Sequence, residues 1–176
     1  VLLGIAPRYR IATSSGFPYN VTVPKYSADS HALDILRRPL MGLGLECTTE
    51  CPVVSIPKYE RELAQAKLKD HGLVPKSFAI LVPGSSLSGA TKRWGSHNYR
   101  AMAELFAQQG IARSVILGGP DEVELCAALA ADIGPSCVNL CGETELLEIP
   151  VLAENAAYMV SNDTGTAHLA AAANIP

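Results

Sequence analysis

The apolar positions of the chain change rhythm near its middle. From residue 77 onward, short apolar runs alternate with amphipathic stretches. Residues 78–82 (Phe-Ala-Ile-Leu-Val) are apolar throughout and stop at Pro83–Gly84, which predicts a buried strand. Tyr99, Met102, Ala103 and Phe106 then fall at helical spacing, with Ser96 placed to cap the first turn and Gly110 to end the last. The pattern repeats with a strand at 114–117 closed by Gly118-Gly-Pro120, and a helix from Asp121 to Gly134. That helix is expected to turn Val123, Cys126, Ala127, Ala130 and Ile133 inward. A strand at 137–141, a helix over 145–156 with Pro150 inside it, a strand at 157–161 and a helix from 164 complete the series. Alternation at this pitch predicts βαβ units, right-handed crossovers and a parallel sheet covered by helices on both faces.

Residues 1–76 are less regular. A strand is expected at 8–13, an extended loop at 20–28, a helix at 29–43, a short strand at 53–56, and a charged amphipathic helix at 58–71 ended by Gly72. Residues 1–75 are therefore expected to be the end of a preceding α/β domain with its linker, and 76–176 a second, Rossmann-like domain. No internal repeat is visible. The chain opens at Val1 with no basic segment before an apolar stretch, so no signal peptide is expected. It closes at Pro176, where a Rossmann-type domain would continue into another strand. A piece of a longer protein is expected.

Composition narrows the class. With 176 residues, 48% of them hydrophobic, and a net charge of −3, the chain can bury one sizeable core and is too apolar for intrinsic disorder. No apolar run approaches the roughly 18 residues of a membrane helix. Charge divides unevenly: residues 1–76 carry ten Lys/Arg against seven Asp/Glu, whereas residues 77–176 carry four against ten. An acidic second half argues against a nucleic-acid groove. It also makes the basic pair Lys92–Arg93 stand out. The five cysteines, an odd number, point to free thiols in a reducing compartment. Cys47/Cys51 and Cys137/Cys141 have C-x3-C spacing, which fits zinc knuckles poorly, and Cys126 reads as a small core residue, so no metal is expected.

Ligands of an open parallel sheet bind outside the carboxyl ends of its strands, and three such loops have unusual composition. The first, residues 83–94, superficially matches a phosphate-binding loop. Ala90 stands where that motif needs its Lys, so an ATPase is excluded. Ser85 and Ser86 could donate to phosphate oxygens there and Lys92 could supply a charge; a solvated loop is the plainer alternative. In the second, Gly118-Gly-Pro-Asp-Glu122, Asp121 or Glu122 could accept from ribose hydroxyls, although a well-charged helix start explains the segment more simply. The third, Ser161-Asn-Asp-Thr-Gly-Thr-Ala-His168, is the most distinctive. Asp163 and Thr164 are strong cap residues, Gly165 leaves the first amides open to an anion, and His168 follows one turn on. A capped helix with a core-facing His is the plainer reading; the polar cluster on an otherwise Ala/Leu helix favours an anion site. No G-x-S-x-G, H-E-x-x-H or G-x-G-x-x-G signature is present.

Taken in order, Pro83-Gly-Ser-Ser, Lys92-Arg-Trp94, Gly118-Gly-Pro-Asp-Glu122, Leu140-Cys-Gly-Glu-Thr-Glu-Leu-Leu147 and Asn162-Asp-Thr-Gly-Thr-Ala-His-Leu-Ala170 resemble glycosyltransferase family 9, the heptosyltransferases of lipopolysaccharide core assembly. The resemblance covers about residues 78–176, with a looser likeness over 1–45 through Gly4-Ile-Ala-Pro-Arg-Tyr-Arg10. It implies an α/β fold of GT-B type and transfer of heptose from a nucleotide sugar, ADP-heptose, to a lipopolysaccharide core acceptor. No cofactor or metal is implied. Ser85 and Ser86 would meet the donor diphosphate, Lys92 would neutralise it, and the amides at Thr164, Gly165 and Thr166 would face it, with His168 beside them. Asp163 would lie near the sugar, Thr144 near adenine, and Asp121 or Glu122 near the ribose. The stretch between Ser86 and Lys92 is a residue or two longer than the family pattern. The family's general base, an Asp near the start of the N-terminal domain, has no counterpart here, so this stretch alone is expected to be inactive. Location is expected at the cytoplasmic side, with membrane contact peripheral if any. A GT-B sugar-nucleotide epimerase and a non-catalytic nucleotide-binding module are the alternatives.

Overall fold

The computed structural model describes residues 8–12, 16–17, 19–23, 32–46, 53–85, 91–173 and 175–176. The chain divides into two compact units, Val1–Glu50 and Cys51–Pro176. In the first, strands β1 (Ile11–Ala12) and β2 (Val21–Thr22) pair in parallel. Asn20 ties their start together, accepting from the Arg10 N–H (2.7 Å) and donating to the Arg8 carbonyl (2.8 Å). Part of the segment expected as an extended loop thus becomes a strand. Helix α1 (Ala32–Met41) follows, with Asp34 in its first turn and Arg38 in its last, the signs its dipole favours.

The second unit carries α2 (Lys58–Asp70), β3 (Phe78–Val82), α3 (Ser96–Gln108), β4 (Arg113–Ile116), α4 (Val123–Ile133), β5 (Cys137–Asn139), α5 (Glu148–Asn155), β6 (Tyr158–Ser161) and α6 (Gly165–Ala171). Its four strands are all parallel, in the order β5-β4-β3-β6. All five residues of β3 are buried, as a central parallel strand covered on both faces requires. Their period of two builds two cores. Phe78, Ile80 and Val82 pack with Val115 and with Leu68 of α2 and Leu152 of α5. Ala79 and Leu81 pack with Ile116, with Tyr99 and Phe106 of α3, and with Leu129 of α4.

Four local expectations are corrected. No strand forms at 53–56; that segment runs irregularly into α2. Helix α5 starts at Glu148, so Pro150 is its third residue, in the first turn, where a missing N–H forfeits no helical hydrogen bond. A tight 3₁₀ turn, Pro120–Glu122, precedes α4 and shifts its phase: Cys126 and Leu129 face the core, while Val123 and Ala127 are exposed. Gly95, not Ser96, is the N-cap of α3.

The unit boundary also lies earlier than residue 75. Helix α2, expected in the linker, buries Ala64 and Leu68 in the second unit's core. Two ion pairs fasten it to α5. Lys67 Nζ lies 2.6 and 2.7 Å from the two carboxylate oxygens of Glu148, and Arg61 lies 2.6 Å from Glu154.

Candidate functional site

Because every strand of the second unit points the same way, the loops after β3, β4, β5 and β6 emerge at one edge of the sheet. Chain order runs from β3 outward to β4 and β5, then jumps back to β6 on the other side of β3. The strand order therefore reverses beside β3, the place in which such folds bind ligands. A cleft of about 490 Å³ lies there, lined by Ser85, Asp121, Glu122, Thr164, Gly165 and Thr166, with Val82, Leu146 and Leu169 as its apolar walls. Beside it, a second cleft of about 280 Å³ is lined by Gly118, Gly119, Gly142, Thr144, Ile149 and others. Leu146 and Thr166 line both. Glycines, apolar side chains and the polar Thr144 and Glu145 together line this second cleft.

Lys92 and the turn at Thr164 lie on the same edge. Lys92 Nζ is 2.8 Å from Asp163 Oδ2, and His168 Nε2 is 3.5 Å from Asp163 Oδ1. All three side chains are open to solvent, so His168 is not the core-facing histidine of the plainer reading. The hydrogen bond from Lys92, then its charge, holds the Asp163 carboxyl below the ordinary aspartate value; the same hydrogen bond raises the Lys92 ammonium above its own. The trio lies next to the larger cleft along the chain without lining it.

Thr164 is the N-cap of α6, its Oγ1 accepting from the Ala167 N–H at 3.2 Å. The other predicted residues divide by what already holds them. Ser85 is buried at 2% exposure; its Oγ accepts from Arg93 Nε (3.3 Å) and its carbonyl from the Arg93 guanidinium (3.0 Å). Glu122 is buried too, and its Oε2 accepts from the Gly119 N–H (2.9 Å), so this carboxylate caps the turn after β4 rather than projecting outward. Gly84 makes room for it: a Cβ there would overlap the Glu122 carboxylate. Asp121 is exposed at the cleft and is better placed than Glu122 to meet a hydroxyl. Ser86 lies outside the described residues, as do Cys47 and Cys51.

Beside Gly118, burial pushes the Cys126 and Cys141 thiols up; at the start of β5 it pushes Cys137 up to about 11. Among the described residues, no group of three or more His, Cys, Asp or Glu could hold a metal ion, and no helix is long and apolar enough to cross a membrane.

Two residues of the site were not singled out from sequence. Tyr99, fully buried, donates its hydroxyl to the Val82 carbonyl (2.9 Å), where β3 leaves the sheet; burial pushes it up to about 12. Asn162, between β6 and the cap, is buried and makes three side-chain hydrogen bonds. Its position directly before Asp163 is the signal that could have found it.

A family model described as glycosyltransferase family 9 (heptosyltransferase) matches residues 18–176. The chain is 38% identical over 165 residues to lipooligosaccharide heptosyltransferase 2 of Haemophilus influenzae, covering 90% of this chain and 45% of that protein. Among solved structures, a glycosyl transferase family 9 protein from Veillonella parvula superposes at a TM-score of 0.74 with 23% identity, covering 84% of this chain and 42% of that one. The ADP-heptose lipopolysaccharide heptosyltransferase II of Escherichia coli superposes at 0.59 with 26% identity, covering 77% and 41%. The expected α/β fold of GT-B type is borne out by these neighbours. The chain spans less than half the length of each of these three.

Proposed function

Because this chain belongs to glycosyltransferase family 9, we propose that it forms the donor-binding half of a transferase that moves a heptose from ADP-heptose to a lipopolysaccharide core acceptor. Residues 51–176 supply the nucleotide-sugar site, and the residues before them belong to the acceptor side. The single observation that carries this reading is the crevice between β3 and β6. There a cleft lined by Ser85 and by Thr164, Gly165 and Thr166 at the start of α6 lies beside the Lys92–Asp163 pair. Oriented amides and an ammonium at one edge of a parallel sheet are the groups that stabilise a leaving diphosphate. In this reading the pyrophosphate occupies the larger cleft, adenine the second cleft at Thr144, and the ribose faces Asp121. Asp163 then lies on the sugar side, and His168, next to it, beside the phosphates.

The reaction is attack by an acceptor hydroxyl on the anomeric carbon with departure of ADP. What these residues contribute is charge at the leaving group. Lys92 turns from Asp163 toward the diphosphate as negative charge grows on it, and the Thr164 turn needs no reorganisation to donate. The whole protein acts at the cytoplasmic side, with membrane contact peripheral if any.

Calorimetry and kinetics on the full-length protein test this. ADP-heptose should bind in preference to UDP-sugars and NAD, and heptose should be transferred to the core acceptor. Lys92→Ala should weaken donor binding and slow turnover by on the order of 10²–10³, the scale of one lost transition-state donor. Unchanged kinetics in that variant count against the assignment. Epimerisation of the sugar nucleotide without transfer would favour a GT-B epimerase, and nucleotide binding without turnover a regulatory module.

A further inference from the structure

Lys92 meets Asp163 from the far end of the segment 86–91, and one side chain holds both ends of that segment. Asn162 is 7% exposed. Its Nδ2 donates to the carbonyls of Pro83 (2.8 Å) and Gly84 (2.9 Å), just before the segment begins. Its Oδ1 accepts from the Trp94 N–H (3.1 Å), just after the segment ends. Its backbone N–H donates to the Val82 carbonyl (3.3 Å), which continues the pairing of β3 with β6. Both amide hydrogens meet carbonyls and the amide oxygen meets an N–H, so the reverse orientation would set like against like. Arg93 adds a second tie through its two hydrogen bonds to Ser85. The next residue along is Asp163, the carboxylate that holds Lys92.

We propose that Asn162 is a positioning residue for donor binding: its amide ties Pro83 and Gly84 to Trp94 and thereby sets the Lys92 ammonium beside the Thr164 turn. This rests on the donor-site reading above. The chemistry demands an asparagine. Aspartate has the same shape but would press a carboxylate oxygen against two carbonyls. Serine and alanine cannot span the three segments, and a buried amide or carbonyl left without its partner carries a desolvation cost.

A double-mutant cycle on the full-length protein tests it, with ADP-heptose as the probe. Asn162→Ala is expected to raise the donor KM about tenfold. In the Lys92→Ala background the same change should raise it less than about twofold, because the group it positions is gone. A merely structural Asn162 would give multiplicative effects. That result, with Lys92→Ala itself weakening the donor, overturns the positioning role and leaves the donor site standing. No effect of Lys92→Ala overturns both. If Asn162→Ala does not fold, Asn162→Ser carries the same cycle, with NMR titration of the Asp163 carboxyl as a second readout. That carboxyl should titrate higher in Asn162→Ser as Lys92 loosens, and an unmoved Asp163 overturns the proposal.

Discussion

Two Lys–carboxylate pairs of nearly equal length occupy opposite surroundings in the second unit. At the back, Lys67 Nζ lies 2.6 and 2.7 Å from Glu148, whose side chain is 0% exposed and whose Oε2 also accepts from the Glu145 N–H at 2.7 Å. At the crevice, Lys92 Nζ lies 2.8 Å from Asp163, but these side chains are 59% and 65% exposed. The contact is the same and the consequence differs. Inside, the Glu148 carboxylate is cut off from water while Lys67 is only partly buried beside it, and the pair behaves as a tie between α2 and α5. At the surface each partner can exchange the other for water or for an incoming anion at little cost. An ion pair that must release its cation to a substrate has to be of the second kind.

The largest expected effect comes from breaking the buried pair. Lys67→Met leaves the fully buried Glu148 carboxylate without its counter-charge. It should destabilise the protein by about 3–5 kcal/mol, read as a drop in denaturation midpoint. Pairing Lys67→Met with Glu148→Leu should recover much of that loss, because the orphaned charge is what costs. A single variant as stable as wild type would contradict the contrast. Gly84→Ala comes next. A Cβ there displaces the Glu122 carboxylate from the Gly119 N–H, a hydrogen bond worth about 0.5–1.5 kcal/mol, and denaturant titration checks the loss.

The same contrast explains what could be read in the sequence. Strand β3 was legible to the residue because its five apolar positions answer to one rule, burial on both faces, and Pro83–Gly84 ends them. The Thr164 cap was legible because capping acts locally. The unit boundary was not, since α2 looks like a charged linker helix until Lys67 finds Glu148, 81 positions away. Pro150 was misread as interior because residues 145–147 have helical composition but are spent on a turn that Glu148 caps. Asn162 escaped notice for the same reason as α2: the carbonyls it holds lie 79 and 78 positions distant. Pattern reveals local rules; long-range polar partners need the fold.

On stability, the crevice pair should register least. Lys92→Ala is expected to leave the unfolding midpoint of the full-length protein unchanged while donor binding and turnover fall together, a separation that thermal denaturation beside steady-state kinetics would show. A large loss of stability would make this pair a structural tie after all. The smallest and most specific effect lies in the titration of Asp163. Its carboxyl is held below the ordinary value first by the hydrogen bond from Lys92 and then by that charge. A depressed folded-state pKa favours folding at pH values above the unfolded carboxyl's own, and that contribution fades as pH falls through the lowered value. The raised Lys92 ammonium sets the alkaline limit of the same pair, whose contribution fades as pH climbs through that raised value. The pair is therefore intact across the neutral range, where a diphosphate must compete with Asp163 for Lys92. NMR titration should find Asp163 low in the wild type and close to an ordinary aspartate in Lys92→Ala, with the weaker pull of protonated His168 remaining. Saturating ADP should raise Asp163 in the wild type as well, because an ammonium turned to phosphate no longer serves the carboxylate. An Asp163 that stays low with ADP bound would mean that Lys92 never leaves it, and the leaving-group charge would then have to come from the turn alone.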